Sequence, residues 1–111
     1  MSANAELIRH VSELFLPLAA NDISHESFFG GFAFKSNGKQ FAMIMGDTLY
    51  FCVNENSRKK YEALGSKPFS YVTKKGRVNV RKYYSVPKNI FENQDFLILW
   101  ANEAIKAAYS N

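Results

Sequence analysis

Residues 24–53 read SHESFFGGFAFKSNGKQFAMIMGDTLYFCV, and this stretch decides the fold. Its short runs follow a period of two and are separated by turn residues, a pattern typical of antiparallel strands. We predict four strands, at Ser24–Phe29, Phe32–Lys35, Gln40–Met45 and Thr48–Val53. Asn37-Gly38 favours a type I′ turn between the second and third strands, because both residue types tolerate positive φ. Gly46-Asp47 marks the next reversal, so the centre of the chain is predicted to be a meander.

An amphipathic helix is predicted before this meander. Its apolar residues are spaced by one, three and four positions, which places them on one helical face: Leu7, Ile8, Val11, Leu14, Phe15 and Leu18. Pro17 lacks an N–H group and is expected to close or kink the helix near its end.

Further elements are predicted after the meander. A short helix is expected to be capped by Asn54 or Asn56 and ended by Gly65, which favours a left-handed terminator. Two more strands follow at about Phe69–Thr73 and Arg77–Tyr84. The last helix begins near Asn93 and carries an apolar stripe of Phe96, Leu97, Trp100, Ala101, Ala104, Ile105 and Ala108.

The predicted order of elements is α-β-β-β-β-α-β-β-α. Strands that follow one another in sequence, with helices on the flanks, indicate an α+β fold with an antiparallel sheet of about six strands. The first and last helices each have one apolar stripe, so we expect both to pack on one face of the sheet. Trp100 is then predicted to lie in the core, between the last helix and the sheet.

Length and composition predict one domain over residues 1–111, because a chain of this size is typical of a single domain. Aromatic residues make up 15% of the chain. This content indicates either an aromatic core or a partner-binding surface formed by the rings that the core does not bury. A single cysteine excludes an internal disulfide and favours a cytoplasmic location. Residues 1–6 do not resemble a signal peptide, and no apolar run approaches the roughly 20 residues needed to span a membrane.

Three segments in series resemble the N-terminal domain of the TfoX/Sxy proteins. They are Phe28-Phe29-Gly30-Gly31-Phe32-Ala33-Phe34; Phe41-Ala42-Met43-Ile44 with Asp47-Thr48-Leu49-Tyr50-Phe51; and Tyr61-Glu62-Ala63-Leu64-Gly65-Ser66-Lys67-Pro68-Phe69, continuing to Tyr83-Tyr84-Ser85-Val86-Pro87. Their order and spacing are similar from roughly Leu7 to Ala108.

The resemblance implies a bacterial regulator that helps to turn on DNA-uptake (competence) genes with the cyclic-AMP receptor protein. It implies a protein-binding module, no enzyme, no cofactor and no catalytic residues to carry over. Longer members of the family have a second, helical domain, and the resemblance leaves its presence here open.

The residues themselves also predict no metal site and no catalysis. His10 and His25 are the two imidazoles, and Cys52 has no second cysteine, whereas a metal site needs several such ligands at one point. Cys52 falls within a predicted strand, where a buried structural thiol is the usual case. A pairing of Cys52 with His25 stays open as an alternative.

Gly30 and Gly31 lie between two predicted strands without a phosphate-loop pattern around them. We therefore predict a structural turn or bulge in which at least one glycine has backbone angles that other residues avoid. Gly31-Phe32-Ala33-Phe34 is also similar to the centre of an RNA-recognition strand, but the flanking residues and the order of elements do not fit that module.

The basic hairpin at residues 74–82 is the candidate contact surface. Strand alternation places Arg77, Arg81 and Tyr83 on one outward face, opposite Val78 and Val80. Arginine and tyrosine favour a protein partner, and direct nucleic-acid binding through the same hairpin is the alternative. The net charge of +4 is modest for a dedicated nucleic-acid binder.

Overall fold

A computed structural model describes residues 3–110, apart from the side chains of Ala19 and Asn21. The elements are α1 (Ala5–Leu14), a 3₁₀ helix (Leu16–Asn21), β1 (Ile23–Phe28), β2 (Gly31–Ser36), β3 (Lys39–Met45), β4 (Thr48–Cys52), α2 (Glu55–Ala63), β5 (Pro68–Thr73), β6 (Gly76–Ser85), α3 (Lys88–Phe91) and α4 (Gln94–Ser110). The predicted domain bounds of 1–111 include residues 1, 2 and 111, which lie outside the described residues.

The six strands form one antiparallel sheet in the order β1-β2-β3-β4-β6-β5. The predicted α+β class and the meander are therefore confirmed. At the β2–β3 turn, Asn37 and Gly38 have φ angles of 50° and 79°, the positive pair that a type I′ turn requires. The late hairpin joins the sheet through β6, which pairs with β4 and leaves β5 at the edge.

One face of the sheet carries the helical layer. The cross-strand partners Phe34, Ala42, Phe51 and Tyr84 form a row on this face, and all four are buried. Helix α4 packs against β3 and β4. Phe15, directly after α1, places its ring 5.1 Å from that of Phe34 and 6.2 Å from that of Phe51. The ends of the chain thus cover the same face, as the two apolar stripes predict.

Local signals set the helix ends. Asn54 begins α2 with a capping box, in which its side chain accepts from the Ser57 N–H at 2.9 Å and the Ser57 hydroxyl accepts from the Asn54 N–H at 3.0 Å. Gly65 follows α2 with a φ of 80°, as expected of a left-handed terminator. The side chain of Asn93 accepts from the Phe96 N–H at 3.2 Å, which fits the predicted start of the last helix.

Two helical details differ from the sequence prediction. The first helix ends at Leu14, and Pro17 lies within the 3₁₀ helix that follows, because its ring and missing N–H are tolerated in a short tight turn but not in a continuing α-helix. A one-turn helix, α3, lies after Pro87 and was not predicted, since four residues are too few to show helical periodicity.

Candidate partner-binding groove

An apolar groove of about 780 Å³ lies on the sheet face opposite the helical layer. Its floor includes Met43 and Met45, which alternate with Ala42 and Ile44 and therefore point away from the Phe34 row. Its lining combines the β1–β2 turn with the β5–β6 hairpin: Phe28, Phe29, Met43, Met45, Phe69, Ser70, Tyr71, Val72, Arg77, Val80 and Tyr83. The groove thus joins segments that are about 40 residues apart in the chain.

The β1–β2 turn forms one wall of the groove. Phe29 and Gly30 are its two loop residues, with φ angles of 46° and 79°, so this hairpin also has positive φ at both central positions. The prediction of an unusual glycine conformation is therefore confirmed at Gly30. Phe29 is unexpected, because a bulky residue rarely adopts this conformation. Its side chain is 87% exposed, and its ring packs edge-on against that of Phe28 at 4.8 Å.

Gly31 is required for a different reason. A Cβ atom at this position would lie 2.5 Å from the carbonyl oxygen of Ile44, and closer still to the sulfur of Met45. The close approach of β2 to β3 thus depends on the missing side chain.

The β5–β6 hairpin forms the opposite wall. Phe69 contacts the ring of Tyr50 at 5.3 Å, which anchors the base of β5 to the sheet. Farther along the hairpin, apolar side chains are open to solvent, with Tyr71 48% exposed and Val72 70% exposed. Arg77 lies across from them and donates to the hydroxyl of Ser70 at 2.7 Å. This wall therefore combines exposed apolar area with an arginine.

Tyr83 lies in the floor of the groove and is only 8% exposed. Its hydroxyl donates to the carbonyl oxygen of Gln40 at 3.2 Å, and burial raises the pKa of the phenol. At neutral pH the side chain is therefore an uncharged donor held in place. It shapes the floor instead of reaching out to a partner.

The predicted shared face of Arg77, Arg81 and Tyr83 is wrong. Pairing of β5 with β6 shifts between Pro68 and Phe69, whose partners on β6 are Tyr84 and Val80. This bulge in β6 breaks the alternation on which the prediction relied. Arg81 instead lies 3.7 Å from the Glu62 carboxylate on α2, whereas Arg77 and Tyr83 both line the groove.

The bulge also changes the prediction for the two valines. Val80 lines the groove and is half-buried, and Val78 is 38% exposed. Val80 packs against the edge of the hydrophobic core, whereas Val78 does not reach it. The partner-binding role of Arg77, Arg81 and Tyr83 stays a prediction, but only two of the three meet at one surface.

Positive charge is concentrated in the part of the chain that contains the β5–β6 hairpin. Residues 63–91 contain seven of the 14 basic residues of the chain and none of its 10 acidic residues. The seven are Lys67, Lys74, Lys75, Arg77, Arg81, Lys82 and Lys88, and all are exposed. The net charge of the chain is only +4 because acidic residues elsewhere in the sequence offset this strongly basic segment.

The residues considered for metal binding and catalysis have packing roles. His10 packs its ring against Phe91 at 5.8 Å, and His25 stacks on Phe32 at 5.1 Å. Cys52 is 1% exposed. Within residues 3–110, no three His, Cys, Asp or Glu side chains cluster as a metal would require, and no helix is long and apolar enough to cross a membrane.

The main residues that sequence reasoning missed are Phe29, Tyr71 and Val72. Phe29 had a signal, since a phenylalanine directly before Gly-Gly in a tight turn has little chance of burial. For Tyr71 and Val72 no local signal was available. Their exposure depends on β5 being the sheet edge, which the alternation of residues along a single strand does not reveal.

The fold and the groove define a small α+β domain with an apolar, basic-flanked surface. A family model, the TfoX N-terminal domain, matches residues 13–108. The chain therefore belongs to the TfoX N-terminal domain family, which is associated with the regulation of competence. Comparison with curated protein sequences gave no match.

Proposed function

We propose that this chain is a regulatory protein-binding module, and that its groove receives a protein partner during transcriptional activation of competence genes. The partner is part of the transcription machinery, with the cyclic-AMP receptor protein as the first candidate. The module acts in the cytoplasm, by binding and without catalysis. Membership of the TfoX N-terminal domain family supports a role in competence.

The exposed aromatic groove is the observation that carries this proposal. Tyrosine, other aromatic residues and arginine concentrate binding energy at protein interfaces. Here Phe29, Tyr71 and Arg77 lie around one concave surface, and Phe29 occupies a turn position that disfavours its residue type. This conformation costs free energy and leaves a large ring in solvent, so it does not stabilise the fold. A role in binding a partner accounts for it better.

The test is a double substitution, Tyr71→Ala with Arg77→Ala, in a cell-based reporter assay of competence-gene activation. We expect activation to be lost while circular dichroism shows an unchanged fold, because both residues are exposed. The matched control is Phe96→Ala with Lys106→Ala on α4, since Phe96 is 50% exposed and Tyr71 is 48% exposed. Full activation by the groove variant, or equal loss in both variants, would contradict the proposal.

Direct nucleic-acid binding through residues 74–82 is the second candidate function. The acid-free stretch 63–91 favours it, because phosphate contacts depend on concentrated positive charge. Under this alternative, affinity for duplex DNA falls steeply as salt rises, and Lys74→Glu with Lys75→Glu removes binding. A weak DNA affinity that these substitutions leave unchanged would exclude it.

A further inference from the structure

Strand β5 is an edge strand whose protective features, Pro68, the bulge beside it and Lys74 and Lys75, all lie at its ends, so residues 69–73 lack them. It reads Pro68-Phe69-Ser70-Tyr71-Val72-Thr73 and carries no charged residue, and within residues 3–110 no strand pairs with one of its two long sides. Natural edge strands are commonly blocked by lysine, by inward charges or by proline along their length. The other edge, β1, fits that rule, because Glu26 lies in it and forms an ion pair with Lys35 on β2.

Four consecutive residues of β5, from Phe69 to Val72, line the groove. Val72 and Tyr71 are exposed there, and Phe69 continues the apolar surface toward Tyr50. A strand added along β5 would satisfy its free backbone groups, and every second side chain of that strand would point toward the groove. The edge and the groove thus form one continuous site for an extended segment.

Charge decides which kind of segment fits. Lys74 and Lys75 lie at the tip that follows β5, and Lys67 lies just before its start. An antiparallel second copy of this chain would bring the Lys74 and Lys75 of one copy close to Lys67 of the other, which repels. An acidic segment would instead gain from all three lysines, and residues 63–91 contain no carboxylate that competes for them.

We propose that β5 receives an extended segment of a protein partner as an antiparallel seventh strand, with alternating apolar side chains in the groove and acidic residues beside Lys74 and Lys75. This mode of binding rests on the proposed protein-binding function and adds the chemistry of the partner. Antiparallel pairing places the acidic residues at the N-terminal end of the segment, because β5 runs toward its lysines.

The probe is a displayed library of random peptides of about ten residues, long enough to pair along β5. Selection on the folded chain is expected to enrich alternating apolar sequences with acidic residues near the N-terminus. Fluorescence anisotropy then measures the Kd of a selected peptide. Hydrogen exchange of the bound complex is expected to slow at amides of β5, which groove binding without strand pairing would not do.

Two pairs of variants test the edge and the charge separately. Val72→Pro removes a backbone N–H from the edge without adding charge, whereas Val72→Thr preserves the β-branched shape. Val72 is 70% exposed, so we expect both variants to fold, and circular dichroism checks that they do. Lys74→Glu with Lys75→Glu is expected to weaken peptide binding by about tenfold. Lys59→Glu with Lys106→Glu makes the same change of net charge on the helices and is expected to leave the Kd unchanged.

The proposal is overturned if no peptide is enriched, if the enriched peptides lack acidic residues, or if Val72→Pro binds them as well as Val72→Thr. Duplex DNA binding that survives Val72→Pro, with no peptide selected, would assign the hairpin to nucleic acid. If Tyr71→Ala with Arg77→Ala abolishes activation while peptides fail the edge test, the protein-binding function stands and only strand addition fails. The decisive measurement is therefore the Kd of the selected peptide for Val72→Pro compared with its Kd for Val72→Thr.

Discussion

The ring of Tyr61 on α2 packs edge-on against the indole of Trp100 on α4, with centroids 4.8 Å apart. The ammonium of Lys60 lies 4.1 Å from the centroid of the Trp100 ring and 2.7 Å from a carboxylate oxygen of Glu103. Tyr61 also contacts Tyr84 of β6 at 6.2 Å. Trp100 is 9% exposed, so its predicted place in the core is confirmed, but these ring contacts join its indole to α2, and it is Tyr61 that continues the cluster to the sheet.

Replacing Trp100 is expected to destabilise the fold. Trp100→Ala removes a buried indole and leaves Lys60 without its ring contact, and such truncations cost about 3–5 kcal/mol. Urea denaturation measures the change in the free energy of unfolding, with Trp100→Phe as the milder control. Solvent-exposed fluorescence from native Trp100, or an unchanged midpoint in Trp100→Ala, would contradict this packing.

Phe29→Asn is expected to raise the stability of the fold and to lower the activation of competence genes. Asparagine adopts positive φ more readily than phenylalanine, so the turn should gain about 1 kcal/mol. The substitution also removes an exposed ring from the groove, so activation in the reporter assay should fall. Thermal unfolding and the reporter provide the two readouts. A variant that loses stability would show that Phe29 supports the fold instead of a partner.

Gly31→Ala is expected to destabilise more than Gly38→Ala. The added methyl at Gly31 meets the Ile44 backbone and the Met45 sulfur, and overpacking of this kind costs about 1–3 kcal/mol. At Gly38, φ is positive but the space is open, so only the backbone strain remains. Equal destabilisation in the two variants would show that β3 moves away from the added methyl group at position 31 without a cost in free energy.

Stability should decrease at alkaline pH. Burial raises the pKa of Tyr61, with Glu103 adding to the effect, and burial also raises the pKa of Tyr83. In the unfolded chain these phenols ionise near pH 10. The stabilising effect of each raised pKa is therefore complete below about pH 10 and is lost as the pH rises toward the folded value.

Urea denaturation across this range checks the prediction. Tyr61→Phe removes one of the two phenols, so the free energy of unfolding should fall less steeply with pH than in the natural sequence. Identical slopes for the two proteins would contradict the assignment of a raised pKa to Tyr61.

Cys52 should react slowly with thiol reagents while the protein is folded. Its side chain is 1% exposed within β4, so modification requires local or global unfolding. Labelling with a chromogenic disulfide, with and without denaturant, gives the two rates. Rapid modification in the folded state would reopen a catalytic role for this thiol.

Much of the fold is readable from local sequence. The period of two in residues 24–53 and the Asn37-Gly38 turn each depend on neighbouring residues, and both were predicted correctly. The stripe around Trp100 was also correct except at Phe96, which is 50% exposed. Prediction from local sequence fails in β6, where strand alternation predicted a shared face for Arg81 and Tyr83. A bulge where β6 pairs with β5 places the two side chains on different faces. No residue type within β6 indicates a bulge at this position.

The sequence by itself determined the α+β class, the meander, the helical stripes and the family. These follow from periodicity and turn chemistry, which act over a few residues, and from motifs in series. Only the tertiary structure decided where the groove lies, because it brings the Phe29 turn against Tyr71 and Val72 across the sheet. It also decided that β5 is an edge, since β6 and not β5 pairs with β4, and strand order depends on contacts between distant residues.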